Sequence, residues 1–439
     1  MTDRPFLRRC VTGDLDAFAD DAWGRQAVLS RADDLAKHDE AATAPGFADL
    51  FSLDAVDELL AHRGLRTPFL RIAKQGTVVD SKHFTGDGGV GAEVADQLRD
   101  DRVAALFADG HTVVLQGLHR TWEPVARLAT GLNADLGHPV QVNAYVTPPS
   151  STGFSAHYDV HDVFVLQIAG TKRWHVHAPV HTDPLRTQPW NDHAAAVRDR
   201  AAQEPLLDEV LQPGAALYLP RGFLHSATAQ GETSVHLTVG IHVLTRHAVL
   251  ETLLAGLADD PELRASLPLG LDVSDPEALA PVVELVARRA AEHFSLPADP
   301  AHAARRLRGR VWSGNRPESV LPLRQAAAVH ALDADTVLQT RLGLHHRLLP
   351  DDGGRLRLEL PDRTLEFPTA AATPLATLLA GAPVRLGDVA EDEAGDATVV
   401  ARRLLTEGVL VTPESVDSPS LRSPRAAGAR TTTGGTTER

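Results

Sequence analysis

A single cysteine, Cys10, stands among 439 residues. That excludes an intramolecular disulfide framework and any cysteine-based zinc site, so metal chemistry here would have to rest on His, Asp and Glu. One cysteine also fits a reducing compartment. Positive charge is scarce: 43 Lys and Arg face 58 Asp and Glu, for a formal net charge of -15. Phosphate recognition needs a concentrated positive surface, so a nucleic-acid-binding role is not expected and a basic partner suits the chain better. Long apolar runs are missing as well. The N-terminal MTDRPFLRRCVTGDLDAF turns acidic before any run long enough for a signal peptide, and no later segment reaches the length of a membrane span. The expectation is a cytoplasmic protein without membrane contact, long enough for a catalytic core and accessory domains.

The texture changes along the chain. Residues 1–110 mix helical spacing in DLDAFADDAW and SLDAVDELLAHRG with a strand and turn in TPFLRIAKQGTVV, a mixed α/β lead-in. Residues 111–245 turn to short β-rich runs, HTVVLQG, VQVNAYVTP, DVFVLQIAG, KRWHVHAP, AALYLP and VHLTVGIHVL, punctuated by Gly and Pro. Many short strands without intervening helices predict a mainly β core, a sandwich or barrel such as a jelly roll. Residues 246–318 read as a helical region, with Asp260-Pro261 and Asp275-Pro276 marking helix starts. Residues 319–414 combine strands RLRLELP and RTLEFP with helical TPLATLLAGAP and DATVVARRLLTEGVLV, a winged-helix-like pattern. Residues 415–439 have almost no large apolar side chains and read as a disordered tail.

The chemistry concentrates in FSAHYDVHDVFVLQIAGTKRW, where His157 and Asp159 are two apart in an expected extended stretch. Period-2 geometry sends both to one face, where they can share a metal. His225, in LYLPRGFLHSA, follows the Pro220-Arg221-Gly222 turn, and a rolled sheet can return it to the first pair. Two His and one carboxylate occupy one face of an octahedron, which suits Fe(II) and leaves positions for a bidentate 2-oxo acid and dioxygen. HxD is short and the chain has 21 histidines; His181-Thr-Asp183 is another instance, but Pro184 follows it in a loop-like stretch. His161, His175, His177, His236 and His242 read as satisfied core or surface histidines. Lys172, at the start of the strand after Ala169-Gly170-Thr171, offers an ammonium for the distal carboxylate of 2-oxoglutarate; without the metal pair beside it, it would read as a solvated turn lysine. Asn143 and Tyr145 alternate on VNAYV and are expected to face the same cavity, with ordinary strand packing as the competing reading.

At these positions the sequence resembles the JmjC-type cupins of the ribosomal oxygenase group, hydroxylases of Arg or His in ribosomal proteins. The likeness runs through Asn143-Ala-Tyr145, Pro148-Pro149, Gly153, His157-Tyr-Asp159, Asp162-Val-Phe164, Gln167, Gly170, Lys172, Trp174, Pro220-Arg221-Gly222 and His225. It implies a double-stranded β-helix (jelly-roll cupin) core with iron on His157, Asp159 and His225. It also implies Lys172 as the partner of the 2-oxoglutarate carboxylate, Asn143 and Tyr145 beside that cosubstrate, a helical dimerisation region, and a homodimer. Where relatives often carry Ser near the end of the strand after the third ligand, this chain reads Thr238-Val239-Gly240. The implied reaction is hydroxylation of an amino-acid side chain in a ribosomal or other basic protein. Competing readings are hydroxylation of a free amino acid or peptide in natural-product biosynthesis, demethylation through an N-methyl carbon, and a non-enzymatic cupin and winged-helix regulator. The acidic Glu391-Asp392-Glu393 opposes DNA contact in the last of these.

Overall fold

The computed structural model describes residues 4–37, 46–149, 151, 155–295, 300–350, 353–389 and 397–413. Gly153, Glu391-Asp392-Glu393 and the 415–439 tail lie outside the described residues. The chain divides into two compact units, residues 1–318 and 319–439.

In the first unit, apart from a small ribbon of Thr85–Gly86 and Gln97–Leu98, the described strands are β1 (Val28–Ser30), β2 (Leu70–Lys74), β3 (Thr77–Val78), β4 (Thr112–Leu115), β5 (Val140–Thr147), β6 (Asp162–Ala169), β7 (Lys172–His177), β8 (Leu207–Leu211), β9 (Ala216–Leu219), β10 (Leu224–Ala229) and β11 (Ser234–Ile241). Eight of them form one antiparallel sheet in the order β1-β9-β6-β11-β5-β4-β2-β3, and β8-β7-β10 form a second. This is the jelly-roll core expected from the many short β runs, with two differences. The sheet begins before residue 111, because β1, β2 and β3 extend its two edges, so the lead-in supplies part of the core. Helices also interrupt the β region at Glu123–Leu136 and Ala194–Ala201. The first of these, α1, buries Val125, Leu128, Ala129 and Leu132 on one face and stops at Gly137, whose φ of +70° suits a residue without a Cβ.

Alternation along the strands sorts the side chains into two layers. Val142, Ala144 and Val146 of β5, Phe164 and Leu166 of β6, and Val235, Leu237 and Val239 of β11 point into the main core, shared with Val125, Leu128 and Leu132 of α1. Burying each such side chain contributes about 1.5–3 kcal/mol. Val163 and Val165 point the other way and pack with Trp174, Val176, Leu211, Leu217 and Phe223 between the two sheets. The residues of β5 and β11 that alternate with the core set therefore face the inter-sheet space, and the candidate site sits there.

The region after the core contains the helices α2 (Arg246–Ala255), α3 (Pro276–Ser295) and α4 (Pro300–Gly314). α2 begins at Thr245, whose side chain accepts the Ala248 N–H. The second unit has its own core around Leu338, Leu358, Phe367, Leu375, Leu378, Leu404 and Leu410. It contains a sheet of Arg347–Pro350, Arg355–Glu359 and Thr364–Pro368, a second sheet centred on Val337–Thr340, and helices at Pro322–His330, Ala372–Leu378 and Ala397–Thr406. No described helix is long and apolar enough to cross a membrane.

Candidate metal centre and cosubstrate cavity

His157 and Asp159 lie just before β6, and His225 is the second residue of β10. The extended stretch expected around His157 is not a regular strand. An isolated bridge ties it to the second sheet: the His157 N–H donates to the His225 carbonyl at 3.2 Å and the His225 N–H returns the bond to the His157 carbonyl at 2.8 Å. Alternation survives in that short piece: Tyr158 turns away and is 1% exposed beside Val197 and Leu224. One donor atom from each of His157, Asp159 and His225 lies within 4.8 Å of the others, and among the described residues no other such cluster of His, Cys, Asp or Glu occurs. His225 Nε2 is 3.8 Å from Asp159 Oδ2, and the two imidazole rings are 4.6 Å apart.

The backbone selects the tautomers. His157 Nδ1 lies 2.8 Å from the Ser155 carbonyl and His225 Nδ1 3.2 Å from the Phe223 carbonyl. A carbonyl can only accept, so both Nδ1 atoms carry the proton and Nε2 keeps its lone pair, the form in which imidazole binds metals. Burial, reinforced by the His157 charge, pushes His225 down to about 4, so it is neutral at physiological pH. Burial opposes ionisation of Asp159, but His161, His225, His157 and Arg71 together outweigh it and hold the carboxyl below its usual range. Two imidazole Nε2 atoms and one carboxylate gathered on one side of a cavity fit a divalent cation with open positions opposite.

The surrounding turns set this arrangement. Gly222, at φ +89°, donates its N–H to the Asp159 carbonyl at 3.0 Å, and a Cβ there would lie 2.7 Å from the His181 carbonyl. Arg221 reaches Asp162 at 3.4 Å and Asp183 at 3.1 Å. Asp162 is fully buried and accepts from Tyr218 Oη at 2.5 Å, and Tyr218 Oη accepts in turn from the Gly24 N–H. Asp183, of the rival HxD, thus serves an ion pair, while His181 meets Gln188 and stacks on His193.

A cavity of about 70 Å³ opens beside the triad, and Tyr145, Lys172, Trp174, His236 and Thr238 are among the residues that wall it. Lys172 is 2% exposed and donates from Nζ to Thr147 Oγ1 at 2.9 Å. Burial pushes its ammonium down to about 7. Its position follows from the β6–β7 turn: Gln167 Nε2 lies 2.8 Å from the Gly170 carbonyl, 3.0 Å from that of Ala169 and 2.9 Å from Ser234 Oγ. Gly170 has φ +59°, and a Cβ on it would fall 2.2 Å from the Thr233 carbonyl oxygen. Tyr145 also faces the cavity; burial first, then the Asp159 charge, pushes its hydroxyl up to about 12. Asn143 does something else: its Oδ1 accepts the Gly117 N–H at 2.9 Å, and it is not among the residues that wall this cavity.

His236, expected as an ordinary satisfied histidine, instead lines the cavity, 3% exposed, with no hydrogen-bond partner for Nδ1 among the described residues. Burial, then the charges of Lys172 and His225, holds it well below the usual imidazole range. Trp174 Nε1 is likewise buried and without a hydrogen-bond partner among the described residues. The available sequence signal was the alternation of His236 with Thr238 on a strand that pairs with VNAYV.

Residues 119–249 match the JmjC domain family. This segment of the chain is similar to a JmjC domain. It holds β5 to β11 and with them every cavity residue named above. Among curated proteins, the chain is 31% identical over 336 residues to ribosomal oxygenase 1 of Rattus norvegicus, covering 64% of this chain and 54% of that one. It is 30% identical over 234 residues to the bifunctional lysine-specific demethylase and histidyl-hydroxylase NO66 of Drosophila grimshawi, covering 51% of this chain and 30% of that one. The chain therefore spans about half, or less, of the length of these relatives. Among solved structures, it resembles the Escherichia coli ribosomal oxygenase YcfD at a TM-score of 0.51 and 17% identity, over 92% of this chain and 99% of that one. At that identity the likeness concerns the fold, which is the JmjC cupin fold around a large antiparallel sheet.

Proposed function

We propose that this protein is an Fe(II)- and 2-oxoglutarate-dependent oxygenase that hydroxylates an amino-acid side chain, Arg or His, of a ribosomal or other basic protein. The observation that carries the reading is the pairing of a His157-Asp159-His225 donor set with the buried Lys172 ammonium across one cavity. Together with dioxygen, iron and 2-oxoglutarate supply an oxidative decarboxylation that yields succinate and carbon dioxide and places one oxygen atom in a C–H bond of the substrate.

The residues divide the work. His157, Asp159 and His225 would hold the metal through two Nε2 atoms and a carboxylate, with both imidazoles fixed by their Nδ1 bonds. Lys172 and Thr147 would receive the distal carboxylate, and Tyr145 would border the cosubstrate; Asn143 would act indirectly, by fixing Gly117. The apolar Val163, Val165 and Trp174 at the inner wall limit water around the reacting centre. A YcfD structure of TM-score 0.51 is described as a complex with cobalt and succinic acid, which accords with a divalent cation and a dicarboxylate in this fold.

The substrate class rests on the relatives named ribosomal oxygenase 1 and YcfD and on the net charge of -15, which favours a basic partner. The relative named a bifunctional demethylase and hydroxylase keeps N-methyl oxidation as a second reading, on the same site chemistry. A cytoplasmic homodimer belongs to the same proposal: Val249, Leu250, Leu254, Val283, Val286 and Phe294 of α2 and α3 are large apolar side chains left exposed. The winged-helix-like reading of residues 319–414 is retained on the helix and strand content of that unit.

The deciding experiment adds Fe(II) and 2-oxoglutarate to the metal-free protein without oxygen and follows the visible metal-to-ligand charge-transfer band of a chelated 2-oxo acid. The band is expected in the wild type and lost in His157→Ala and Asp159→Ala. A folded wild type that binds Fe(II) but develops no band would sink the proposal.

A further inference from the structure

We propose that His236 is a positioning residue for the 2-oxo dicarboxylate, donating a hydrogen bond to the cosubstrate between its Lys172 end and its metal end. This rests on the reading above and adds a residue to it. A buried polar atom left without a partner costs about 1–3 kcal/mol, and native folds retain few of them. Here two belong to residues that line one cavity: His236 Nδ1 and Trp174 Nε1, both buried and without a hydrogen-bond partner among the described residues. With the Lys172 ammonium they make a wall rich in N–H groups. Its chemical complement is a ligand that brings several acceptor oxygens at once, which a 2-oxo dicarboxylate does.

The ring is held in place before any ligand arrives. It stacks parallel on Tyr145 with centroids 5.0 Å apart at 3°, and meets Trp174 edge-on at 5.4 Å and 81°. The β5–β11 ladder pairs His236 with Tyr145 directly, so the stack is set by strand register. Lys172, His225 and His236 line the same cavity, and the Trp174 ring that His236 meets lies 6.1 Å from the His225 ring. His236 therefore lines the cavity that also holds the carboxylate-binding end and the metal end. A ring pinned on two sides can orient a flexible five-carbon chain without losing rotamer freedom on binding.

Two substitutions separate hydrogen bonding from packing. His236→Phe keeps an aromatic ring in the stack, and His236→Gln restores an amide donor. Cobalt(II) binding is followed by visible absorption, and 2-oxoglutarate binding to the cobalt-loaded full chain by calorimetry without oxygen. The expected result is unchanged cobalt affinity in both variants, a roughly tenfold weaker 2-oxoglutarate Kd in His236→Phe, equal to about 1.4 kcal/mol, and partial recovery in His236→Gln. Unchanged 2-oxoglutarate affinity in His236→Phe, or no recovery in His236→Gln, overturns the inference. In the zinc-loaded wild type, 2-oxoglutarate is expected to bring up one slowly exchanging imidazole N–H resonance that His236→Gln lacks; its absence also overturns the inference, even if His236→Phe does not fold. A metal-loaded wild type that binds no 2-oxoglutarate defeats the broader functional reading instead.

Discussion

Replacing Lys172 by Met tests the electrostatics of the cavity, because the side chain stays unbranched and only one atom shorter while it loses the charge and the donors. Burial takes the ammonium from its ordinary 10.5 to about 7, a difference on the order of 5 kcal/mol against the charged form. Between about pH 7 and 10.5 the unfolded chain carries a proton on Lys172 that the folded chain has lost. More protons bound in the unfolded state means that stability rises with pH across this window, with the full penalty present below about pH 7. Lys172→Met should remove that slope and, at pH 7 or below, unfold at higher denaturant than the wild type. Ligand binding runs the other way. A carboxylate beside Nζ restores the ammonium, so at pH 8 the metal-loaded wild type should take up close to one proton per 2-oxoglutarate bound, and its affinity should fall by a factor approaching ten for each pH unit above about 7. His236 is already neutral there, and Tyr145, at about 12, does not ionise in that range. Calorimetry in two buffers of different ionisation enthalpy measures the proton count. Lys172→Met should bind 2-oxoglutarate about 2–5 kcal/mol more weakly, with no pH slope. Wild-type affinity that stays flat from pH 7 to 9 with no proton uptake would refute the reasoning, as would an equal slope in the variant.

Chelation should lower the melting temperature of the metal-loaded protein, and returning Co(II) to about 100 times its Kd should restore about 2.7 kcal/mol; His157→Ala and Asp159→Ala should show no such response. Gly170→Ala should destabilise by about 3 kcal/mol or more, since φ of +59° is unfavourable for an L side chain and the new Cβ meets the Thr233 carbonyl at 2.2 Å. Denaturant titration checks this, and wild-type stability would show that the turn relaxes. Tyr218→Phe removes a donor to the buried Asp162 carboxylate and should cost about 1.5–3 kcal/mol. Because Tyr218 touches no metal donor, its variant should bind Co(II) like the wild type if it folds; a loss of metal with unchanged stability would contradict that division.

How far the site was legible depended on how local each relation is. His157 and Asp159 are two residues apart, and alternation places them together even in a stretch that is not a regular strand. The segment needs only to be extended, and the bridge to His225 holds it there. The β texture from 111 onward was readable for the same reason. Its limits were not, because β1 and β2 join the sheet through pairings with β9 and β4 that are remote in sequence. Helix α1 inside the β region was missed although its apolar face has ordinary helical spacing, since the surrounding strand runs set the reading of the whole stretch.

Asn143 and His236 show where one-dimensional reading stops. Alternation gave Asn143 and Tyr145 the same face of β5, and Tyr145 does wall the cavity, but Asn143 lies nearer Gly117 and accepts its N–H. Which part of a sheet face a cavity covers depends on the neighbouring strands, and that neighbour is reached only by folding. His236 presents the opposite case: nothing within ten residues marks it as different from His242. Its distinction comes from pairing with Tyr145 across β5 and β11 and from lying over Trp174 of the second sheet. The same long-range packing explains why Asp162, Gln167, Gly170, Arg221 and Gly222 accompany the metal residues in the sequence pattern. Gln167 and Gly170 fix the turn that delivers Lys172, while Asp162, Arg221 and Gly222 fix the turn that delivers His225 against Asp159. A metal centre assembled from two turns and one bridge has little regular structure of its own, so its geometry can be no more accurate than the hydrogen bonds that pin those turns.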